Sequence, residues 1–127
     1  MPSANQFGHS AEALAAQCLR QKGYRILEQN LRVLNGELDI VAQDGETLVF
    51  IEVKGRRTQS LGNIAFAIDD RKKRQIIKLA SYYLSEKGFT NQPCRFDAIF
   101  VNLSNANTPE LTHVSHAFEV SSSDWQW

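Results

Sequence analysis

The chain has 127 residues with 14 Lys and Arg, 14 Asp and Glu, a formal net charge of +0 and 43% hydrophobic residues. That length suits one domain over residues 1–127, and the composition excludes long-range disorder and a global basic field. Cys18 and Cys94 lie far apart with no CxxC spacing, so the thiols are expected free, in a reducing compartment.

Apolar runs such as residues 48–51 and 98–101 are too short to cross a bilayer, and the N-terminus lacks a signal-peptide pattern. The expectation is a cytoplasmic protein with no membrane partner. His9, His113 and His116 form no zinc-like spacing with the cysteines and read as structural.

The first element is a helix. Phe7, Ala11, Leu14, Ala15 and Cys18 recur at helical spacing, and Gly23 stops them as a C-terminal cap. An extended stretch over 24–34 follows. Residues 37–43 and 46–55 are then strand-like runs separated by Asp44-Gly45, which predicts a hairpin. A second amphipathic helix begins near Asp69 or Asp70, carries Ile76, Ile77, Ala80, Tyr83 and Leu84 as its apolar stripe, and ends before Gly88. Residues 94–103 and 112–120 read as two further strands, giving the order αβββαββ: an α/β fold with a mixed sheet flanked by helices.

If Asp44-Gly45 forms a two-residue turn, Gln43 faces Glu46, Val41 faces Leu48, Asp39 faces Phe50 and Glu37 faces Glu52. In that register Asp39 and Glu52 are diagonal neighbours on one face, with Cα atoms roughly 7–8 Å apart, and Lys54 points the same way. Leu38, Ile40, Val49, Ile51 and Val53 take the opposite, core-facing side. Gathering Glu37, Asp39 and Glu52 on one face is electrostatically unfavourable, and a divalent cation resolves it. Carboxylate oxygens, a backbone carbonyl and waters suit Mg²⁺, which activates water and polarises a phosphoryl oxygen, while Lys54 stabilises developing charge.

Charge is unevenly placed. Between Lys54 and Lys78 there are eight basic residues against Asp69 and Asp70, a local balance of +6, whereas beyond Asp97 there are no Lys or Arg. Arg56, Arg57, Arg71, Lys72, Lys73, Arg74 and Lys78 suit phosphate contacts, with Arg56, Arg57 and Lys72 the preferred nucleic-acid-binding subset. Tyr82 is available for base stacking, whereas Tyr83 falls on the apolar stripe. Asp97 alternates with Arg95 and Ile99 and reads as a partner for Arg95 or as a site residue.

The hairpin resembles the PD-(D/E)XK, restriction-endonuclease-like nuclease superfamily in its αβββαβ core order. More closely, the chain is similar to the bacterial YraN-like family, itself distantly similar to archaeal Holliday-junction resolvases. The matching pieces are Gly8-x-x-x-Glu12, Gly23-Tyr24-Arg25-Ile26-Leu27, Asn30-Leu31-Arg32, Gly36-Glu37-Leu38-Asp39, Val49-Phe50-Ile51-Glu52-Val53-Lys54, Lys72 and Arg74 with Ala80 and Leu84, and Arg95-Phe96-Asp97. Leu38 stands where the namesake motif has Pro. The Gln-x-x-x-Tyr motif of exonuclease-like members is not met, since Leu79 follows Gln75 by four.

The resemblance implies Asp39, Glu52 and Glu12 as metal ligands and Lys54 as the catalytic lysine. It implies Mg²⁺, with Mn²⁺ as a substitute, and hydrolysis of phosphodiester bonds in branched or structured DNA. A homodimer is expected by analogy to the junction resolvases. The alternatives are a nucleic-acid-binding module of the same fold with little or no cleavage, and an interaction domain whose basic helix meets an acidic protein.

Overall fold

Both helices end where a glycine takes the left-handed backbone conformation that other residues avoid. Gly23 and Gly88 have φ of 92° and 73°. In each case the next residue's N–H reaches back five residues, from Tyr24 to the carbonyl of Leu19 and from Phe89 to that of Leu84, both at 3.0 Å. These paired caps satisfy carbonyls that would otherwise be stranded at the helix ends.

The computed structural model describes residues 4–56, 68–104 and 107–120. The side chains of residues 4–10 and of Arg56 lie outside the described residues, as does Arg57 entirely. The elements are α1 (Ala4–Gln21), β1 (Arg25–Val33), β2 (Gly36–Asp44), β3 (Thr47–Arg56), α2 (Asp70–Lys87), β4 (Cys94–Asn102) and β5 (Glu110–Phe118). This is the expected order and α/β class. The five strands form one mixed sheet in the order β1-β2-β3-β4-β5, antiparallel except for the β3–β4 pair. The parallel pair follows from α2, which lies between those strands in sequence and carries the chain back to the starting edge.

Central strands must be apolar on both faces because a helix covers each side. On β3, Leu48 and Phe50 join the cluster under α2, and Val49 and Ile51 join the cluster under α1. On β4, Phe96, Ala98 and Phe100 face α2, while Ile99 and Val101 face α1. Phe50 stacks on Phe96 at 5.5 Å and meets Tyr83 edge-on at 6.0 Å. Such pairs add about 0.5–1.5 kcal/mol each beyond the area they bury.

Helix α2 presents the expected stripe, Ile76, Ile77, Ala80, Tyr83 and Leu84, together with Leu79 and Ser81. Asp69 caps its start by accepting from the Lys72 N–H at 2.8 Å. Helix α1 is rotated from expectation. Among the described side chains Ala11, Ala15, Ala16 and Leu19 are fully buried, while Leu14 and Cys18 are only half-buried, and Phe7 of the expected face lies outside them. Alanines on several sides leave the apolar face of such a helix weakly marked in sequence, and the larger Leu19 sets the rotation by packing with Val49 and Ile51. Among the described residues, no helix is long and apolar enough to cross a membrane.

Candidate functional site

The site forms where β2 and β3 part company. Their ladder runs from Asp44↔Thr47 at the turn to Ile40↔Ile51. The turn residues are therefore Gly45 and Glu46, with Gly45 at φ 62°, one position later than Asp44-Gly45. The register consequently moves by two residues, with Val41 opposite Phe50. A two-residue shift preserves side-chain parity, and it carries Asp39 from the level of Phe50 to that of Glu52.

Beyond Ile40 and Ile51 the main-chain pairing gives way to a side chain. Asp39 Oδ2 accepts the Val53 N–H at 2.9 Å, and the Asp39 carboxylate acts directly on that of Glu52. The two residues expected to converge do so, as direct rather than diagonal neighbours.

The face assignment around them needs correction. Leu38 was expected to share a side with Ile40, yet Leu38 is buried under α2 and Ile40 under α1. Asp39 and Ile40, consecutive in sequence, both meet residues of α1. The register of β1 places Asn30 opposite Asp39, between Gln29↔Ile40 and Leu31↔Leu38. Asn30 has φ of 52°, a conformation that asparagine tolerates better than most residues. The strand kink there breaks the simple alternation and swings Glu37 and Asp39 toward the first helix.

On that side Glu12, Glu37 and Asp39 each bring a carboxylate oxygen within 4.8 Å of the others. Glu12 Oε2 is buried and has no hydrogen-bond partner. Burial, followed by the charges of Asp39 and Glu37, pushes the Glu12 carboxyl up to about 7. Glu52, with only 11% of its side chain exposed, is pushed up to about 8 by burial and then by the neighbouring Asp39 carboxylate. Lys72 and Lys54 oppose that shift, Lys72 through an ion pair of 3.6 Å to Glu52 Oε2. Lys54 is exposed on β3.

Glu12, Asp39, Glu52 and Lys54 are therefore drawn to one end of the sheet, Glu12 and Lys72 approaching it from different helices. Glu37 belongs with them as the third oxygen donor beside Glu12. Its signal was the i, i+2 spacing to Asp39, but nothing local in the sequence indicates that Glu12 of α1 stands opposite. Lys72, expected as a phosphate contact, has its ammonium on Glu52.

The donor set suits a hard divalent cation. Three carboxylates close together, one with an orphaned buried oxygen, are costly without a positive charge between them, and their hard oxygens match Mg²⁺ or Mn²⁺. No thiol joins them. Burial pushes the Cys94 thiol up to about 11, and its sulfur donates to the Gln92 carbonyl at 3.2 Å.

Asp97 is separate from this centre. It is buried and receives Arg95 through both oxygens, at 2.9 and 3.0 Å, His113 Nε2 at 2.8 Å and the His116 N–H at 3.1 Å. Arg95 also donates to Tyr24 at 2.6 Å and Asp44 at 3.1 Å. This network fastens β2, β4, β5 and the connection between α1 and β1, so the Arg95 pairing expected for Asp97 holds and His113 has a structural role.

The family described as "Uncharacterised protein family UPF0102" matches residues 11–101, a span that contains Glu12, the whole hairpin and α2. A UPF0102 protein of Geobacter sulfurreducens is 43% identical over 113 residues, covering 89% of this chain and 88% of the relative. One from Hahella chejuensis is 45% identical over 98 residues, covering 77% and 79% respectively. One from Stutzerimonas stutzeri is 39% identical over 120 residues, covering 94% of this chain and 99% of the relative. With a family match that runs through the carboxylates, the hairpin and the basic helix alike, the chain belongs to the UPF0102 family.

Proposed function

We propose that the protein is a metal-dependent nuclease of the PD-(D/E)XK type that hydrolyses phosphodiester bonds in branched or structured DNA. The observation that carries this reading is the convergence of Glu12, Glu37 and Asp39 within 4.8 Å, with Glu52 close enough to feel the Asp39 charge. The resemblance of Gly36-Glu37-Leu38-Asp39 and Glu52-Val53-Lys54 to that superfamily's hairpin supports it.

Glu12, Glu37 and Asp39 would hold the ion, with Glu52 beside it through Asp39. Bound Mg²⁺ or Mn²⁺ supplies Lewis-acid polarisation of a phosphoryl oxygen and lowers the pKa of water. The chain's own contribution is positional and electrostatic. The Val53 N–H fixes the Asp39 carboxylate, Lys72 draws Glu52 toward α2, and Lys54 places a positive charge at the exposed end of β3 where a phosphate group arrives.

The test is incubation of the purified protein with four-way-junction, flap, single-stranded and linear duplex DNA, in Mg²⁺, Mn²⁺ or EDTA. Asp39→Ala, Glu52→Ala and Lys54→Ala are assayed in parallel. Metal-dependent products from the parent that disappear in all three variants are expected. DNA binding without products under any metal overturns the catalytic reading in favour of a binding module, and neither binding nor cleavage removes both.

A further inference from the structure

Helix α2 carries six basic residues, and the fold divides them into two sets. Lys72 pairs with Glu52, Lys73 with Asp70 at 3.9 Å, and Lys87 with Glu28 at 3.8 Å. Lys73 and Lys87 also lie over the Phe118 and Tyr83 rings, each at 5.8 Å. Arg71, Arg74 and Lys78 are exposed, and among the described residues none has a carboxylate ion partner.

These three cations share more than their lack of partners. Positions 71, 74 and 78 lie on one helical face, and all three line a groove of about 540 Å³ between α2 and Asn35 of the β1–β2 turn. The groove exists because the turn approaches the helix closely. A Cβ on Gly36 would stand 2.8 Å from Leu79 Cδ1 and 3.1 Å from Gln75 Nε2. Asp69 is the acidic residue in the lining, and its carboxylate is occupied by the Lys72 N–H. Lys72 lines the same groove and reaches Glu52, so one end of the groove adjoins the carboxylate centre.

We infer that this groove is a track for a nucleic-acid backbone, in which Arg71, Arg74 and Lys78 contact successive phosphates leading to the carboxylate centre. The inference rests on the nucleic-acid reading of that centre and assigns its substrate a path. From 71 to 78 the helix rises about 10 Å, comparable to about three nucleotide steps along a duplex axis. Three like charges along such a line repel, and a regularly spaced polyanion relieves the repulsion. The two guanidinium groups add planar donor forks suited to phosphate oxygens. An acidic peptide would neutralise the charge, yet would have no reason to lead to a centre built for phosphodiester chemistry.

The test is binding in EDTA, so that cleavage plays no part. Fluorescence anisotropy with a fluorescein-labelled DNA duplex and with its single strand is followed over roughly 50–200 mM salt. The parent is compared with Arg71→Ala, Arg74→Ala, Lys78→Ala, their triple combination, and Lys87→Ala, on the same helix but outside the groove, as the control. Each groove variant is expected to reduce the slope of log affinity against log salt by about 0.9 on duplex and about 0.7 on single strand. The triple variant is expected to lose at least about tenfold in affinity, and Lys87→Ala to bind as the parent does. Unchanged affinity and slope in the triple variant overturn the inference, as does a parent that binds neither DNA. Displacement of DNA by poly-glutamate as readily as by unlabelled DNA overturns it in favour of an acidic protein partner. Asp39→Asn separates this inference from the catalytic reading. DNA binding by that variant, with no cleavage by the parent under any metal, removes the hydrolase and leaves the track. Metal-dependent cleavage with an unaltered triple variant does the reverse.

Discussion

Asp39 accepts the Val53 N–H through Oδ2 at 2.9 Å, so a carboxylate takes over where the main-chain pairing of β2 with β3 has ended. The same carboxylate lies against Glu52, Glu12 and Glu37, and its two roles have opposite energetic signs. Asp39→Asn keeps a carbonyl acceptor for Val53 and removes the repulsion, so equal or higher stability is expected. Asp39→Ala also removes the acceptor and should be less stable than Asp39→Asn by about 1 kcal/mol. Urea unfolding of both variants measures this difference, and an Asn variant no more stable than the Ala variant would show that the bond contributes nothing.

Raised carboxyl groups make stability fall as pH rises. Glu12 and Glu52 have folded-state values of about 7 and about 8 against 4.5 for the free side chain. The folded protein therefore holds extra protons between about pH 4.5 and 8. Their contribution is complete below 4.5 and lost as pH rises through the folded values. The urea midpoint should decline over that window, and the decline should flatten in Glu12→Gln/Glu52→Gln. Mg²⁺ should counter it, raising the melting temperature more at pH 8 than at pH 6, because the ion binds deprotonated ligands. An equal Mg²⁺ effect at both pH values would argue against these carboxylates as ligands.

The hairpin shows what the sequence could and could not specify. Alternating hydrophobic residues and the glycine at the turn made the β2–β3 pair legible, and side-chain parity held near the turn but not at Leu38 and Asp39, where the alternation breaks. The exact turn residues were not legible, because Asp44-Gly45 and Gly45-Glu46 both supply a glycine for a two-residue loop. On α2, a start near Asp69 or Asp70, the apolar stripe and the stop at Gly88 were readable because each depends on neighbours within one or two turns. The meeting of Glu12 with Glu37 depends on the rotation of α1 and the kink at Asn30, and neither has a periodic signature. The basic residues of α2 were visible as a run. Which of them are neutralised depends on Glu52, Asp70 and Glu28, two of which lie on distant strands.

Gly36 is where the β1–β2 turn presses on α2, and its backbone needs no left-handed geometry. Gly36→Ala would place a methyl against Leu79, which is only 2% exposed and has little room to retreat. A loss of roughly 1–3 kcal/mol is expected from overpacking. Truncating the obstacle should recover part of it, so the costs of Gly36→Ala and Leu79→Ala should combine less than additively in chemical denaturation. Strict additivity would mean that the two residues do not compete for the same space.

The Asp97 network should govern stability at the acid end. Burial alone would raise this carboxyl, but hydrogen bonds from His113, Arg95 and the His116 N–H outweigh it and hold it below 3.8. A depressed carboxyl contributes stability above its unfolded value and loses it as pH falls through the folded one, opposite in sign to Glu12 and Glu52. Asp97→Asn keeps the shape yet leaves Arg95, with 12% of its side chain exposed, without its buried counter-charge. A loss of about 3–5 kcal/mol is expected, as for other broken buried pairs. The variant should also lose part of the parent's acid sensitivity, because the group that titrates there is gone. Urea unfolding at neutral pH and across the acid range reads both effects. A variant that unfolds like the parent at neutral pH would show that Tyr24 and Asp44 suffice to hold Arg95 and that Asp97 is dispensable to the clasp.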